Sequence, residues 1–196
     1  MASPPPQITI RLPTPQETNN TATINHLDTL INTVYFTTEG EYWKPGHHRS
    51  TPADIKTWIA AGELYLAIDS SNHEILGVVC LHPHHAQREV STYTFGPLAV
   101  SQTQSRSGVG RRLVLHAESV ARSRGAEMME ITLLEPKPPA VHPYKEMVRR
   151  WYVKLGYVGV RREAKEEVVP ASHCPTLAEG IDFLVMEKRL WSALDR

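Results

Sequence analysis

The sequence predicts an α/β fold on one mixed central sheet, with an antiparallel meander at the start and a parallel strand pair later. Three observations predict it. Short apolar or alternating runs separated by turn residues fill much of the chain before Val100. A strand-like run ending at Val100 is followed by a glycine-bearing loop and then by a helical pattern that stops at Gly125. Beyond Gly125 comes another strand, and a strand–helix–strand crossover joins strands that run parallel. A doubly wound dinucleotide fold is disfavoured, because its strands would alternate with helices from the beginning.

Ile8-Thr9-Ile10-Arg11-Leu12 alternates apolar and polar residues and is expected to enter the sheet first, after a flexible, proline-rich tail over residues 1–7. Ile24, Leu27, Leu30, Ile31 and Val34 recur at helical spacing, which predicts a helix reaching Tyr35 or Phe36. Gly40, Pro45 and Gly46 mark the following stretch as a loop, one that concentrates Glu39, Glu41, Tyr42, Trp43, His47 and His48. Thr51 reads as a helix cap, with Pro52 in the first turn and Asp54 near the positive end of the dipole. Ile55, Trp58 and Ile59 then face the core until Gly62. Glu63–Ile68 and Ile75–Leu81 are strands joined through Asp69–His73, and with the strand ending at Val100 they complete the meander.

The central stretch runs Tyr93-Thr94-Phe95-Gly96-Pro97-Leu98-Ala99-Val100, then through Ser105-Arg106-Ser107-Gly108-Val109-Gly110 into a helix. Val109, Leu113, Ala117, Val120 and Ala121 share one helical face. The first turn of a helix presents unpaired N–H groups and the positive end of the dipole, and Gly108 and Gly110 let an anion approach them. Glycines that only turn the chain are the bland alternative. No third glycine stands at Leu113 and no lysine follows Gly110, so neither the dinucleotide fingerprint nor a Walker loop is present.

Met129, Ile131 and Leu133 form the strand after the crossover, ended by Pro136-Lys137-Pro138-Pro139. Tyr144, Val148, Trp151 and Leu155 define a helix that Gly156 stops. Two strands, near Val158–Arg161 and Phe183–Glu187, complete the sheet. Between them Lys165–Gly180 is a long segment of the kind that serves function or moves, and it is the candidate cover of a site.

With 196 residues the chain is expected to form one domain, residues 8–196, large enough for a sizeable core. Lys plus Arg and Asp plus Glu are 21 each, so no net field draws nucleic acid or an anionic membrane. Cys80 and Cys174 make neither a disulfide framework nor a zinc site. No apolar run reaches the roughly 20 residues of a membrane span, and Met1–Pro6 lacks the pattern of a secretory signal. A cytoplasmic location is expected, with the nucleus not excluded. His82-Pro83-His84-His85 beside Cys80 invites a metal, but Pro83 ends the strand and a cysteine on an apolar strand is a core residue more often than a ligand, so no metal is expected.

Leu98-Ala99-Val100, the spacing to Gly108 and Gly110, and the later Trp151-Tyr152-Val153-Lys154-Leu155-Gly156-Tyr157 together resemble the GCN5-related N-acetyltransferase (GNAT) superfamily, roughly over Gly77–Leu190. The resemblance implies a GNAT fold with helices on both faces and a central parallel pair splayed apart near Val100. It implies acetyl-CoA as cosubstrate, its pantetheine arm paired with the backbone of Leu98, Ala99 and Val100. Its pyrophosphate would lie on Ser105, Arg106, Ser107, Gly108, Val109, Gly110 and Arg111. Ser105 replaces the usual Arg or Gln of the loop, with Arg106 one place on, and Lys145 stands where an Asn often begins the later helix and meets CoA.

Tyr152 occupies the family position of the general acid that protonates the departing thiolate, a packed helix aromatic being the other reading. Glu130 is the candidate base, directly or through water, against a merely solvated strand carboxylate. The loop after the first long helix, with Tyr35, Glu39, Tyr42, Trp43 and His47, is the candidate acceptor site, since aromatic walls with a few polar groups suit small ligands. The expected function is acetyl transfer from acetyl-CoA to an amine of a small molecule or protein, with a homodimer possible within the family. A non-catalytic acyl-CoA-binding module is the alternative.

Overall fold

The structure, a computed structural model, describes residues 7–84, 89–168 and 177–190. In chain order the elements are β1 (Ile8–Arg11), α1 (Pro15–Thr18), α2 (Thr21–Glu39), α3 (Pro52–Ala60), β2 (Leu64–Asp69), β3 (Ile75–Pro83) and β4 (Thr92–Val100). There follow α4 (Val109–Ser123), β5 (Met128–Pro136), α5 (Pro143–Lys154), β6 (Val158–Ala164), α6 (Lys165–Val168) and β7 (Ile181–Arg189). The strands form a mixed seven-stranded sheet in the order β1-β2-β3-β4-β5-β7-β6. β4 pairs with β5 in parallel through Thr92↔Met128, Tyr93↔Met129 and Thr94↔Glu130, and both strands continue beyond that ladder. The pairs β1–β2, β2–β3, β5–β7 and β6–β7 are antiparallel. This is the α/β architecture expected of a GNAT fold.

Contacts divide the chain into two compact units. One holds the described parts of Met1–Tyr35, His48–His82 and Phe95–Ser123; the other holds those of Phe36–His47, Pro83–Thr94 and Arg124–Arg196. Part of the N-terminal tail (1–6), His85, Cys174 and residues 169–176 of the candidate cover lie outside the described residues. Among the described residues no helix is long and apolar enough to cross a membrane, and no three His, Cys, Asp or Glu side chains gather as a metal site.

In the first unit, Asn20 caps α2 by accepting the Ala22 N–H at 2.8 Å. Ile24, Leu27 and Ile31 then pack with Leu64, Leu66, Val78, Cys80 and Ala99 in one core. The helix runs past Phe36 to Glu39 because nothing interrupts it before Gly40. Thr51 and Asp54 form the expected cap of α3, here a reciprocal capping box. A second such box, Thr14 with Glu17, makes α1, which the apolar periodicity did not announce because the helix buries no residue. Arg11 and the Thr14 N–H hold the Glu17 carboxyl down at about 2.

The second unit is built on β5, β7 and β6. β7 lies between the other two, an order the sequence left open. Its run Phe183-Leu184-Val185-Met186 is buried on both faces, as a central strand requires, whereas the edge strand β6 exposes Val158 and Val160. A smaller core joins Tyr42 to Leu134, Leu177, Ile181 and Phe183.

α4 buries Val109, Leu113, Val114, Ala117, Glu118 and Ala121, so its apolar stripe is rotated slightly from the expected one and Val120 is only half-buried. Beside that stripe His116 meets the Tyr65 ring edge-on at 5.0 Å, and its Nε2 has no hydrogen-bond partner. Burial holds its pKa below the ordinary 6.5. A folded-state value below the unfolded one means the unfolded chain binds the proton more tightly, so stability is complete above the unfolded pKa and declines as pH falls through it. His116→Leu is therefore expected to change urea-unfolding stability by less than about 1 kcal/mol at pH 8 and to raise it relative to wild type at pH 5.5. Parallel pH dependence in the two proteins would show that His116 is not the group responsible.

Candidate active site

In the first unit the end of β4 is tied down on several sides. Ser101 donates its N–H to the Leu76 carbonyl at 2.9 Å, and Leu98 donates its N–H to the Tyr35 hydroxyl at 3.3 Å. The Arg49 guanidinium lies over the Tyr35 ring at 5.0 Å, and Asn32 Oδ1 accepts the Arg49 N–H at 2.7 Å. Ala99 points into the core, while Leu98 and Val100 lie half-buried on the opposite face. A Cβ on Gly77 would stand 2.7 Å from the Ala99 carbonyl oxygen, so β3 and β4 approach here at a distance only glycine permits.

After Val100 the chain makes a 3₁₀ turn at Gln102–Gln104, and the Ser107 N–H and hydroxyl both donate to the Gln104 carbonyl. Arg106 and Gly108 adopt left-handed conformations, with φ of 64° and 87°. Among the described residues the N–H groups of Arg106, Gly108, Val109, Gly110 and Arg111 have no hydrogen-bond partner. Left-handed residues alternating with ordinary ones gather successive N–H groups into a concavity that suits an anion, and here it opens onto the first turn of α4. Nothing lies within 4 Å of where a Gly108 Cβ would be, so the chain is uncrowded at that residue. Val109, fully buried, anchors the loop, whereas Ser105, Arg106, Ser107, Gly108 and Arg111 are exposed.

In the second unit α5 carries Tyr152, 6% exposed, with the rings of Trp151 and Tyr157 edge-on at 4.7 and 5.6 Å. Glu130 occupies the last position of the β4–β5 ladder and is 3% exposed. A solvated carboxylate it is not. His84 Nε2 lies 2.9 Å from one of its oxygens and Arg161 Nη2 donates to the other at 3.1 Å. Arg161 also donates to Glu163 at 2.6 Å and to Glu187 at 3.2 Å.

The aromatic loop forms a second charged cluster. Glu39, the last residue of α2, accepts from Lys145 Nζ at 2.5 Å. Lys145, 6% exposed, lies 5.9 Å from the Tyr42 ring centroid. Its own N–H donates to Nδ1 of His142, the N-cap of α5, whose Nε2 meets Glu41 at 2.8 Å. Burial, then Glu41 and Glu39, push the Tyr42 phenol up to about 12, so it stays neutral. Trp43 stacks on His47 with ring centroids 3.7 Å apart. The loop is pinned to the described end of the long segment by a Trp43↔Leu177 bridge and by Ala178 N–H donating to the Tyr42 carbonyl at 2.7 Å.

Of the predicted residues, Leu98 to Arg111 with Tyr35 thus fall in the first unit. Glu39, Tyr42, Trp43, His47, Glu130, Lys145 and Tyr152 fall in the second. Lys145, expected beside CoA, and Glu39, expected beside the acceptor, are bonded to each other. His142, Arg161 and Gly77 escaped sequence reasoning as site residues, and His84 was weighed only as a metal ligand, not as a partner of Glu130. The His142-Pro143 pair was a readable cap signal, but ion-pair partners leave no mark on spacing.

A family model described as the acetyltransferase (GNAT) family matches residues 31–148. No curated protein sequence matches the chain. Solved structures share the fold. An aminoglycoside 6′-N-acetyltransferase complexed with coenzyme A superposes with a TM-score of 0.65 at 16% identity, covering 94% of this chain and 98% of that one. The NatC complex bound to Gag peptide and CoA gives 0.63 at 13% identity, covering 94% and 99%. An acetyltransferase of the GNAT family from Staphylococcus aureus Mu50 gives 0.59 at 13% identity, with the same coverage.

The close approach at Gly77 yields a direct test of how β4 is held. Gly77→Ala is expected to push the Ala99–Val100 backbone away and to destabilise the protein by about 1–3 kcal/mol, measured by urea unfolding. Unchanged stability would mean that β3 yields without strain.

Proposed function

The chain belongs to the acetyltransferase (GNAT) family, and on that premise we propose that it transfers the acetyl group of acetyl-CoA directly to an amine within a ternary complex. The observation that carries the proposal is the cluster of unpartnered N–H groups of Arg106, Gly108, Val109, Gly110 and Arg111, gathered by two left-handed residues. It fits a diphosphate because main-chain donors and the α4 dipole both favour negative charge there. Ser105, which is exposed, adds a hydroxyl beside it, whereas the Ser107 hydroxyl is already donated to the Gln104 carbonyl.

In this reading the backbone of Leu98, Ala99 and Val100 pairs with the pantetheine amides as an added strand would. A backbone N–H at or near Val100 steadies the oxyanion that forms when the amine nitrogen attacks the thioester carbonyl. The amine must first lose a proton, since an alkylammonium has a pKa of about 10. Glu130 is the proposed base. It is fixed by Arg161 and sealed from solvent, so the proton travels through a water or along the hydrogen bond to His84, which is less deeply covered. As the tetrahedral intermediate collapses, the carbon–sulfur bond breaks and the thiolate takes the Tyr152 proton. Burial against Trp151 and Tyr157 supports a fixed donor.

The acceptor lies, in this proposal, against the loop bearing Glu39, Tyr42, Trp43 and His47, and Tyr35 is proposed as a further acceptor residue. The bridge from Trp43 to Leu177 supports a role for the Lys165–Gly180 segment as its cover.

Titrating CoA calorimetrically and following thiol release from acetyl-CoA with n-butylamine, tyramine, spermidine and a short peptide tests the reading. No heat would overturn it, and binding without turnover on any amine would leave a non-catalytic acyl-CoA module. Tyr152→Phe is expected to lower kcat by about 10²- to 10⁴-fold while the CoA Kd stays close to wild type. Unchanged turnover would remove Tyr152 from the chemistry.

A further inference from the structure

We propose that Lys145 is a positioning residue for the acceptor side, which acts by holding the Glu39 carboxylate in place, and that it is not a ligand of the coenzyme. The inference rests on the transferase reading above and assigns within it a residue that family resemblance would place beside CoA. Three observations carry it. The Lys145 ammonium is bonded to Glu39 Oε1, and both side chains are largely buried, at 7% and 15% exposure. The backbone of Lys145 is fixed as well, because its N–H is accepted by the His142 cap. Around the pair the other groups are already committed, with Glu41 on His142 and the Tyr42 phenol neutral.

A lysine is a compact charge on a flexible stem, and such a charge buried with one carboxylate is constrained to that partner. Glu39 is also the last residue of α2, at the negative end of the helix dipole, where a carboxylate is disfavoured. Lys145 supplies the compensating positive charge there, which a neutral asparagine could not. The replacement therefore has a local reason that requires no contact with the nucleotide. A Glu39 held in this way keeps its carboxylate in one place at the end of α2, and the aromatic loop between Glu39 and His47 keeps its shape.

The test uses the full chain, with the panel amine that gives the fastest thiol release as acceptor. Lys145→Met is expected to raise the KM for that amine by about tenfold or more, with the calorimetric CoA Kd within about twofold of wild type. Lys145→Arg, which keeps the cation, is expected to recover most of the loss. Because Lys145 acts through Glu39, the double variant Glu39→Gln/Lys145→Met should behave like Glu39→Gln alone, an interaction that a double-mutant cycle exposes. Should Lys145→Met not fold, Glu39→Gln against Glu39→Gln/Lys145→Met keeps the comparison, since the double variant leaves no charge buried alone. A CoA Kd weakened about tenfold by loss of Lys145 in either background, or an acceptor KM that none of these variants moves, overturns the inference while leaving the transferase reading intact.

Discussion

At Gly77 the β3 backbone passes so near β4 that any side chain would meet the Ala99 carbonyl and, at 3.3 Å, the Val100 Cα. That approach, together with the Ser101 N–H on Leu76 and the Leu98 N–H on Tyr35, decides where β4 ends. The start of the following loop is set by it, because the stretch from Ser101 to Gly108 has little structure of its own beyond one 3₁₀ turn. Its far end is fixed by Val109, Leu113 and Ala117 packing under α4. A short loop held at both ends can keep two left-handed residues in place, and those residues aim the N–H groups. Strain at Arg106, where a non-glycine residue takes a positive φ, is tolerated because the flanking elements leave it no alternative.

The second unit depends on charge rather than on close approach. Glu130, Glu135 and Lys145 are all buried, and each has an opposite charge within reach: Arg161 and His84, Arg162, and Glu39. Buried pairs of this kind contribute little net stability, yet removing one partner costs about 3–5 kcal/mol because it strands the other. Their effect is to make particular arrangements obligatory. The same burial keeps the Tyr42 phenol neutral between Glu41 and Glu39. A fold that needed only stability would have used apolar residues at these positions. Keeping ions there suits a region in which protons or charged groups are handled.

Much of this was legible in the sequence where a repeat or a breaker marks the chain. The strand ending at Val100, the loop and the helix ending at Gly125 follow from periodicity and from glycine, and Thr51-Pro52-Ala53-Asp54 announces its own cap. The same chemistry at Thr14 and Glu17 went unread because α1 is too short to show an apolar stripe. The order β5-β7-β6 was hidden because adjacency in a sheet is a long-range property, although the continuous apolar run at Phe183–Met186 pointed to a central strand. Glu118 looks like a solvated helix residue and is buried, since helix rotation is set by what packs beneath it. Partners such as His84 for Glu130 or Lys145 for Glu39 lie far apart in the chain, with no pattern to connect them.

The balance of 21 basic and 21 acidic residues conceals an uneven distribution. Arg161, Arg162 and Lys145 are neutralised by carboxylates, whereas Arg106, Arg111 and Arg112 are exposed and, among the described residues, form no ion pair. Two of those three sit in the first turn of α4, which contains no acidic residue. Cations there oppose the helix dipole, at a cost of about 0.3–1 kcal/mol each. A sequence selected for stability alone would place Asp or Glu at these positions, as α3 does with Asp54. An anion at the helix end would remove this conflict with the local rule. The same arginines then become attractive partners, and a chain without net charge still directs a positive field at one place.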